Sequence, residues 1–192
     1  MSMSTVVLLV VLAVIVLWVI GAYNALVSLK NQVVNAWKQI DVQLKRRHDL
    51  IPNLVNTVKG ALDFERSTLE AVIAARNRAV NATGVRQTAQ AEGELTQALG
   101  RLFALTEAYP DLKATGNVAG LQEELTSTEN KIGFARQLYN DVATQYNTKQ
   151  MQFPTNLVAG LAQASPAELW EIEEAGERAV PVVNLSLNKP AS

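Results

Sequence analysis

The chain has 192 residues, a formal net charge of −1 and no cysteine, so disulfides, thiol catalysis and cysteine-ligated zinc are excluded together. Near-neutral charge gives no electrostatic reason to expect nucleic acid as a partner. An aromatic content of 6% and few glycines argue against a β-sandwich and for helices rich in Ala, Leu, Gln and Glu.

Residues 6–22 read VVLLVVLAVIVLWVIGA, and the first charged side chain after them is Lys30. Trp18 and Tyr23 stand near the far end, where amphipathic rings prefer the membrane–water boundary. At about 1.5 Å per residue, a helix over 5–23 is roughly 27–29 Å long, enough for a hydrocarbon core of about 30 Å. A cleaved signal peptide would need a basic start and small residues before the cut. Residues 1–5 hold no Lys or Arg, and Ile20 stands where a small residue belongs. A buried core helix would need a far less polar remainder to enclose it. The expectation is one transmembrane helix in a single-pass protein. Lys30, Lys38, Lys45, Arg46 and Arg47 follow it, against Asp41 and Asp49, and the positive-inside rule favours a cytoplasmic domain.

Leu26, Leu29, Val33, Trp37, Ile40 and Leu44 recur in steps of three and four, one face of a helix, with no Gly or Pro between 23 and 51. The membrane helix is therefore expected to run unbroken into a first domain helix. Pro52 lacks an N–H and clashes with the preceding turn. The apolar phase continues through Ile51, Leu54, Val55 and Val58, which allows a kinked helix. The favoured reading is a reversal at Pro52, which pairs two antiparallel helices of similar length. The second helix is then expected over 51–80, ended by Asn81-Ala82-Thr83-Gly84, where Gly84 can adopt the left-handed conformation. A third is expected over 86–109 with Leu95, Leu99, Leu102 and Leu105 or Thr106 inward, stopped by Pro110. The fourth, over 118–151, places Leu121, Leu125, Thr128, Ile132, Ala135, Tyr139, Val142 and Tyr146 in a coiled-coil-like heptad seam suited to a bundle. Ser165-Pro166-Ala167-Glu168 reads as a capping box opening a short acidic helix, followed by an extended tail. The fold class is thus all-α. An anchor at 1–22 precedes an antiparallel up-and-down four-helix bundle at 23–162, and a short helix and tail occupy 163–192.

Several blocks carry a family likeness: Asp41-Val42-Gln43-Leu44-Lys45-Arg46-Arg47-His48-Asp49-Leu50-Ile51-Pro52-Asn53-Leu54-Val55, Thr57-Val58-Lys59-Gly60, Tyr109-Pro110-Asp111-Leu112-Lys113, Leu121-Gln122-Glu123-Glu124-Leu125 and Thr128-Glu129-Asn130-Lys131-Ile132. Ala135-Arg136, Tyr139-Asn140 and Phe153-Pro154 complete it. In these the chain resembles the LemA family of small membrane-anchored bacterial proteins. It departs from the family at Ala61-Leu62-Asp63-Phe64-Glu65, where members often have a Tyr-Ala-x-His-Glu run. The resemblance implies a four-helix bundle behind one helix in the bacterial cytoplasmic (inner) membrane, and no reaction. Members include a magnetosome membrane protein linked to compartment formation, which leans toward membrane organisation or remodelling. Other members look like lipoproteins and sit outside the cytoplasm, against the charge rule, so the side of the membrane stays open.

In a bundle with a reversal at Pro52, Lys45, Arg46, Arg47, His48 and Asp49 reach the membrane-distal tip together with Tyr109, Asp111 and Lys113, a candidate partner-binding tip. The ordinary alternative is that basic residues complement a helix C-terminus. A single histidine cannot build the usual multi-histidine zinc site, so neither metal nor cofactor is expected. Glu65, Arg76, Glu129 and Arg136 lie on or beside apolar seams and should pair across helices as a buried polar network, because an unpaired buried charge costs several kcal/mol. No catalytic residue is identified. The expected function is a non-enzymatic, membrane-anchored scaffold. Its expected partners are the lipid bilayer, further copies of itself in a homo-oligomer and other membrane or envelope proteins, but not nucleic acid. The alternative is a hydrolase, or a regulator of a membrane protease, using the same carboxylates.

Overall fold

The computed structural model describes residues 2–59, 65–109 and 116–171. In chain order it holds α1 (Met3–Lys59), α2 (Arg66–Asn81), α3 (Gly84–Ala108), α4 (Gly116–Met151) and the single turn α5 (Asn156–Ala159), with no strand among the described residues. The first 20 or so residues of α1 are long and apolar enough to cross a membrane, and none of that apolar window is buried by the protein. The helix then continues into the domain without a break, as the absence of Gly and Pro between 23 and 51 requires.

The expected reversal at Pro52 does not occur. The helix α1 runs 57 residues, about 85 Å at the α-helical rise, with Pro52 inside it. The physical reason lies one turn back. Proline cannot donate to the carbonyl four residues earlier, which here belongs to His48. Arg76 on α2 supplies the missing donor, its Nε donating to the His48 carbonyl oxygen at 3.1 Å. The second helix is correspondingly shorter than expected, starting at Arg66. Val58, expected on it, belongs to α1, and Leu62 lies outside the described residues.

The helices alternate in direction. Along α1, α4 packs antiparallel; α2 returns beside the distal part of α1, and α3 climbs again beside α2. The core has two parts. A distal cluster joins Ile51, Leu54, Val55 and Val58 of α1 to Leu69, Val72, Ala75 and Ala79 of α2. It also takes in Leu95, Leu99 and Leu102 of α3, and Val118 and Leu125 of α4. A proximal cluster joins Val33, Ala36, Ile40 and Leu44 to Ile132, Ala135, Tyr139, Ala143 and Tyr146, closed by Trp170. Of the heptad positions expected on α4, Leu125, Ile132, Ala135, Tyr139 and Tyr146 enter the clusters and Thr128 is buried, while Leu121 and Val142 are half-buried and Val118 and Ala143 are buried in the clusters. Thr106 rather than Leu105 is the buried choice on α3. Gly84 opens α3 at φ +76°, the left-handed conformation expected of it.

The hairpin of α2 and α3 stops short of the apolar start of α1. Glu92 of α3 stands level with Arg47 and His48, so by helical rise the α2–α3 turn sits level with Ile40, roughly 25 Å beyond residue 22. Below that level the α1–α4 pair is covered by the chain's own C-terminal part. After α5, residues 164–171 form no helix, where Ser165-Pro166-Ala167-Glu168 is expected to open a short acidic one; the rest of that expected helix and the tail, from 172 on, lie outside the described residues. Their backbone bonds go to α4 instead. The Asn147 side chain accepts from Ala167 N–H (2.8 Å) and donates to Ala167 C=O (2.9 Å). The Asn140 side chain does the same for Trp170 (2.8 and 3.0 Å). Tyr139 donates its hydroxyl proton to the Glu168 carbonyl at 2.7 Å. Two helical turns, about 10.5 Å, separate residues seven apart, and three extended residues span about 10 Å, so Asn140 and Asn147 are spaced to hold Trp170 and Ala167.

Candidate functional site

Between the two apolar clusters lies a polar layer to which all four long helices contribute. The Arg47 guanidinium, 4% exposed, is its centre. Its Nη1 meets Glu92 Oε2 at 3.1 Å and Glu129 Oε2 at 2.9 Å, and its Nη2 donates to Thr96 Oγ1 at 2.7 Å. The other oxygen of Glu92 takes His48 Nε2 at 2.6 Å. The Glu129 contact is an ion pair without hydrogen-bond alignment, at a half-exposed carboxylate. Arg76 completes the layer from α2 through the His48 carbonyl. Two guanidiniums and two carboxylates thus balance formally. Of these, Arg47 and Glu92 are the buried charges, and their pairing offsets the several kcal/mol that an unmatched buried charge would cost.

His48 and Glu92 have the geometry of an acid–base pair, but both are buried, and neither lines any of the principal surface cavities. Among the described residues no group of three or more His, Asp or Glu side chains is placed to hold a metal ion.

The sequence-predicted tip residues are divided by the structure. Because α1 continues to Lys59, residues 45–49 sit at mid-bundle, 10–14 residues and so roughly 15–20 Å short of the helix end. Arg47 and His48 face the core. Lys45 pairs with Asp49 at 2.8 Å on the surface, and Arg46 pairs with Glu124 of α4. The Lys45 hydrogen bond holds the Asp49 carboxyl below its usual range, aided by the positive charge of Arg76. Tyr109 does lie at the distal end of α3, exposed, about 25 Å from the layer along the helix. Asp111 and Lys113 lie outside the described residues.

Of the expected buried network, Glu129 and Arg76 belong to the layer, while Glu65 and Arg136 do not. Glu65 is the residue before α2, at the distal end. Arg136 lies over the Trp170 ring at 5.8 Å, one turn from the Asn140 that grips that residue's backbone. Trp170 is 4% exposed and its ring lies tilted against Trp37 at 5.9 Å between centroids, while Trp37 meets Tyr139 edge-on at 5.5 Å. Burial, with the nearby Glu168 charge, pushes the Tyr139 phenol above its ordinary range. Sequence reasoning missed Glu92 and Thr96. A signal existed: Thr88, Glu92, Leu95, Leu99, Leu102 and Thr106 step by four and three, so Glu92 stands on the inward stripe of α3.

Comparison with known proteins places these features in context. The LemA family profile matches residues 36–185, from the proximal core through the distal one and back. Protein LemA of Metamycoplasma hominis is 30% identical over 142 residues, 73% of this chain and 64% of that protein. The match therefore spans just under two thirds of that relative's length. Magnetosome protein MamQ 2 of Paramagnetospirillum magneticum is 24% identical over 191 residues, 86% of this chain and 70% of that protein. Magnetosome protein MamQ of Magnetospirillum gryphiswaldense is 23% identical over 181 residues, 81% of this chain and 66% of that protein.

Proposed function

This chain belongs to the LemA family, and from its architecture we propose that it is a non-enzymatic scaffold of the bacterial cytoplasmic membrane that works by self-association or by binding envelope proteins. The observation that carries the reading is the continuity of α1 from its apolar span to Lys59. A bundle built on such a helix is held at a fixed height and bearing above the bilayer, which suits positioning. The ionisable groups at its centre are consumed by one another, which suits a structural layer better than catalysis. The relatives named as magnetosome proteins support a role in membrane organisation.

The outer face of the α1–α4 pair, away from α2 and α3, is where association would occur. It carries Val42, Phe134 and Leu138, with Phe134 74% exposed, flanked by Lys38 and Lys131. Copies anchored in one membrane point the same way, so a two-fold axis along the bilayer normal can bring two such faces together. The test is a photo-reactive amino acid at Phe134, irradiated in native membranes. A crosslinked dimer or an envelope-protein adduct is expected, and recovery of monomer alone would refute the proposal.

A further inference from the structure

We propose that the turn after α4 is a second membrane contact, a foot that inserts its exposed apolar side chains into the same leaflet that the start of α1 crosses. It rests on the reading that α1 spans the bilayer.

Four observations converge on residues 151–163. Met151, Phe153, Leu157 and Leu161 are 70%, 80%, 68% and 71% exposed, a density of bare large apolar groups found nowhere else among the described residues of the bundle. The stretch carries no charge. From Gln150 to Ala167 there is no Asp, Glu, Lys or Arg, and on α1 there is none from Val6 to Leu29. The turn packs at the height where α1 leaves the bilayer. α5 lies against α1 and α4, and Lys30 Nζ donates to the Gln163 carbonyl oxygen at 3.3 Å. Lastly, coverage of α1 begins inside the apolar span. Val19, Ala22, Leu26 and Leu29 follow the same face, partly covered at Val19 and Ala22 and fully buried at Leu26.

These place the foot beside the last turns of the span. Tyr23 and Trp18 mark that boundary on α1, and Leu26 is only about 6 Å beyond residue 22. An interfacial segment buries its apolar face about 5–10 Å into the boundary between headgroups and acyl chains. The foot therefore lies within reach of lipid without any change in the fold. Val158 of α5 is buried and anchors the turn to the bundle, while Leu157 and Leu161 stay exposed. An uncharged surface also fits zwitterionic and anionic lipid equally, so the contact is made by apolar area and not by headgroup charge.

The chain lacks cysteine, so single substitutions label cleanly. Nitroxides are attached to L157C, L161C, V16C and S127C in the full chain, reconstituted into phosphatidylcholine–phosphatidylglycerol vesicles. Collision rates with oxygen and with a water-soluble nickel chelate are then read. Val16 reports the span and Ser127, on distal α4, reports water. The expected result is that the probes at 157 and 161 lose nickel access and gain oxygen access relative to Ser127, as the Val16 probe does. If Val16 behaves as lipid-embedded while 157 and 161 match Ser127, the foot is overturned and the anchor stands. If 157 and 161 are shielded from both reagents, protein covers them and the foot is likewise overturned. If Val16 itself is open to nickel, the spanning reading fails and takes the foot with it.

Discussion

Arg76 and Pro52 should be energetically coupled because both bear on one atom, the His48 carbonyl oxygen. Replacing Arg76 by Met leaves the His48 carbonyl without a donor, because Pro52 has none to give. A buried acceptor left unpaired costs about 1–3 kcal/mol. In a Pro52→Ala background the backbone N–H of residue 52 restores the ordinary helical bond. Arg76→Met should then cost about 0.5 kcal/mol or less, the level of a substitution away from a key contact. The interaction of Arg76 with Asp49 is common to both backgrounds and cancels from the cycle. The expected coupling is therefore about 1–2 kcal/mol, or roughly 3–6 °C in Tm for a bundle of this size. The assay is thermal unfolding of the full chain in detergent micelles, for wild type, both single variants and the double variant. The signal is the near-ultraviolet circular dichroism of the packed aromatics. Equal costs of Arg76→Met in the two backgrounds, within about 0.5 kcal/mol, would refute this account of how α1 passes through Pro52.

Three further outcomes are expected. Glu92→Ala strands Arg47 in the core and should cost about 3–5 kcal/mol, whereas Glu94→Ala breaks only the exposed pair with Arg78 and should cost less than about 1 kcal/mol; urea titration separates them. The Tyr139 phenol has its folded pKa raised above the unfolded value near 10.0. Its contribution is thus complete below that pH and is lost as pH rises through the raised value. A red shift of Trp170 emission should appear on that alkaline limb and vanish in Tyr139→Phe. Gly84→Ala should cost about 1 kcal/mol from the left-handed backbone alone, since space for a Cβ is open there; an equal Tm for the two proteins would contradict it.

The helices, their inward stripes and the four-helix arrangement were legible because periodicity is a local property, written every three or four residues. The passage through Pro52 was not. It depends on Arg76, 24 positions away, and no local rule reveals a side chain that replaces a backbone donor. A reversal there moves residues 45–49 to a tip they do not occupy and puts Arg47 and His48 on the surface. The non-helical stretch at 164–171 was hidden for a similar reason. Its capping box is a sound local signal, overridden by Asn140 and Asn147, whose matched spacing has meaning only once the chain is laid along it. Glu92 was within reach, since its position in the α3 stripe is as regular as that of Leu95.

The unbroken first helix also makes the molecule a lever. From residue 22 to Lys59 there are 37 residues, an arm of about 55 Å. A spanning helix answers a change in bilayer thickness by leaning. A lean of about 10° at the fulcrum sweeps the far end of such an arm sideways by roughly 10 Å. In a bilayer spanned by α1, local thinning or thickening of the lipid would shift the far end of the bundle by that distance.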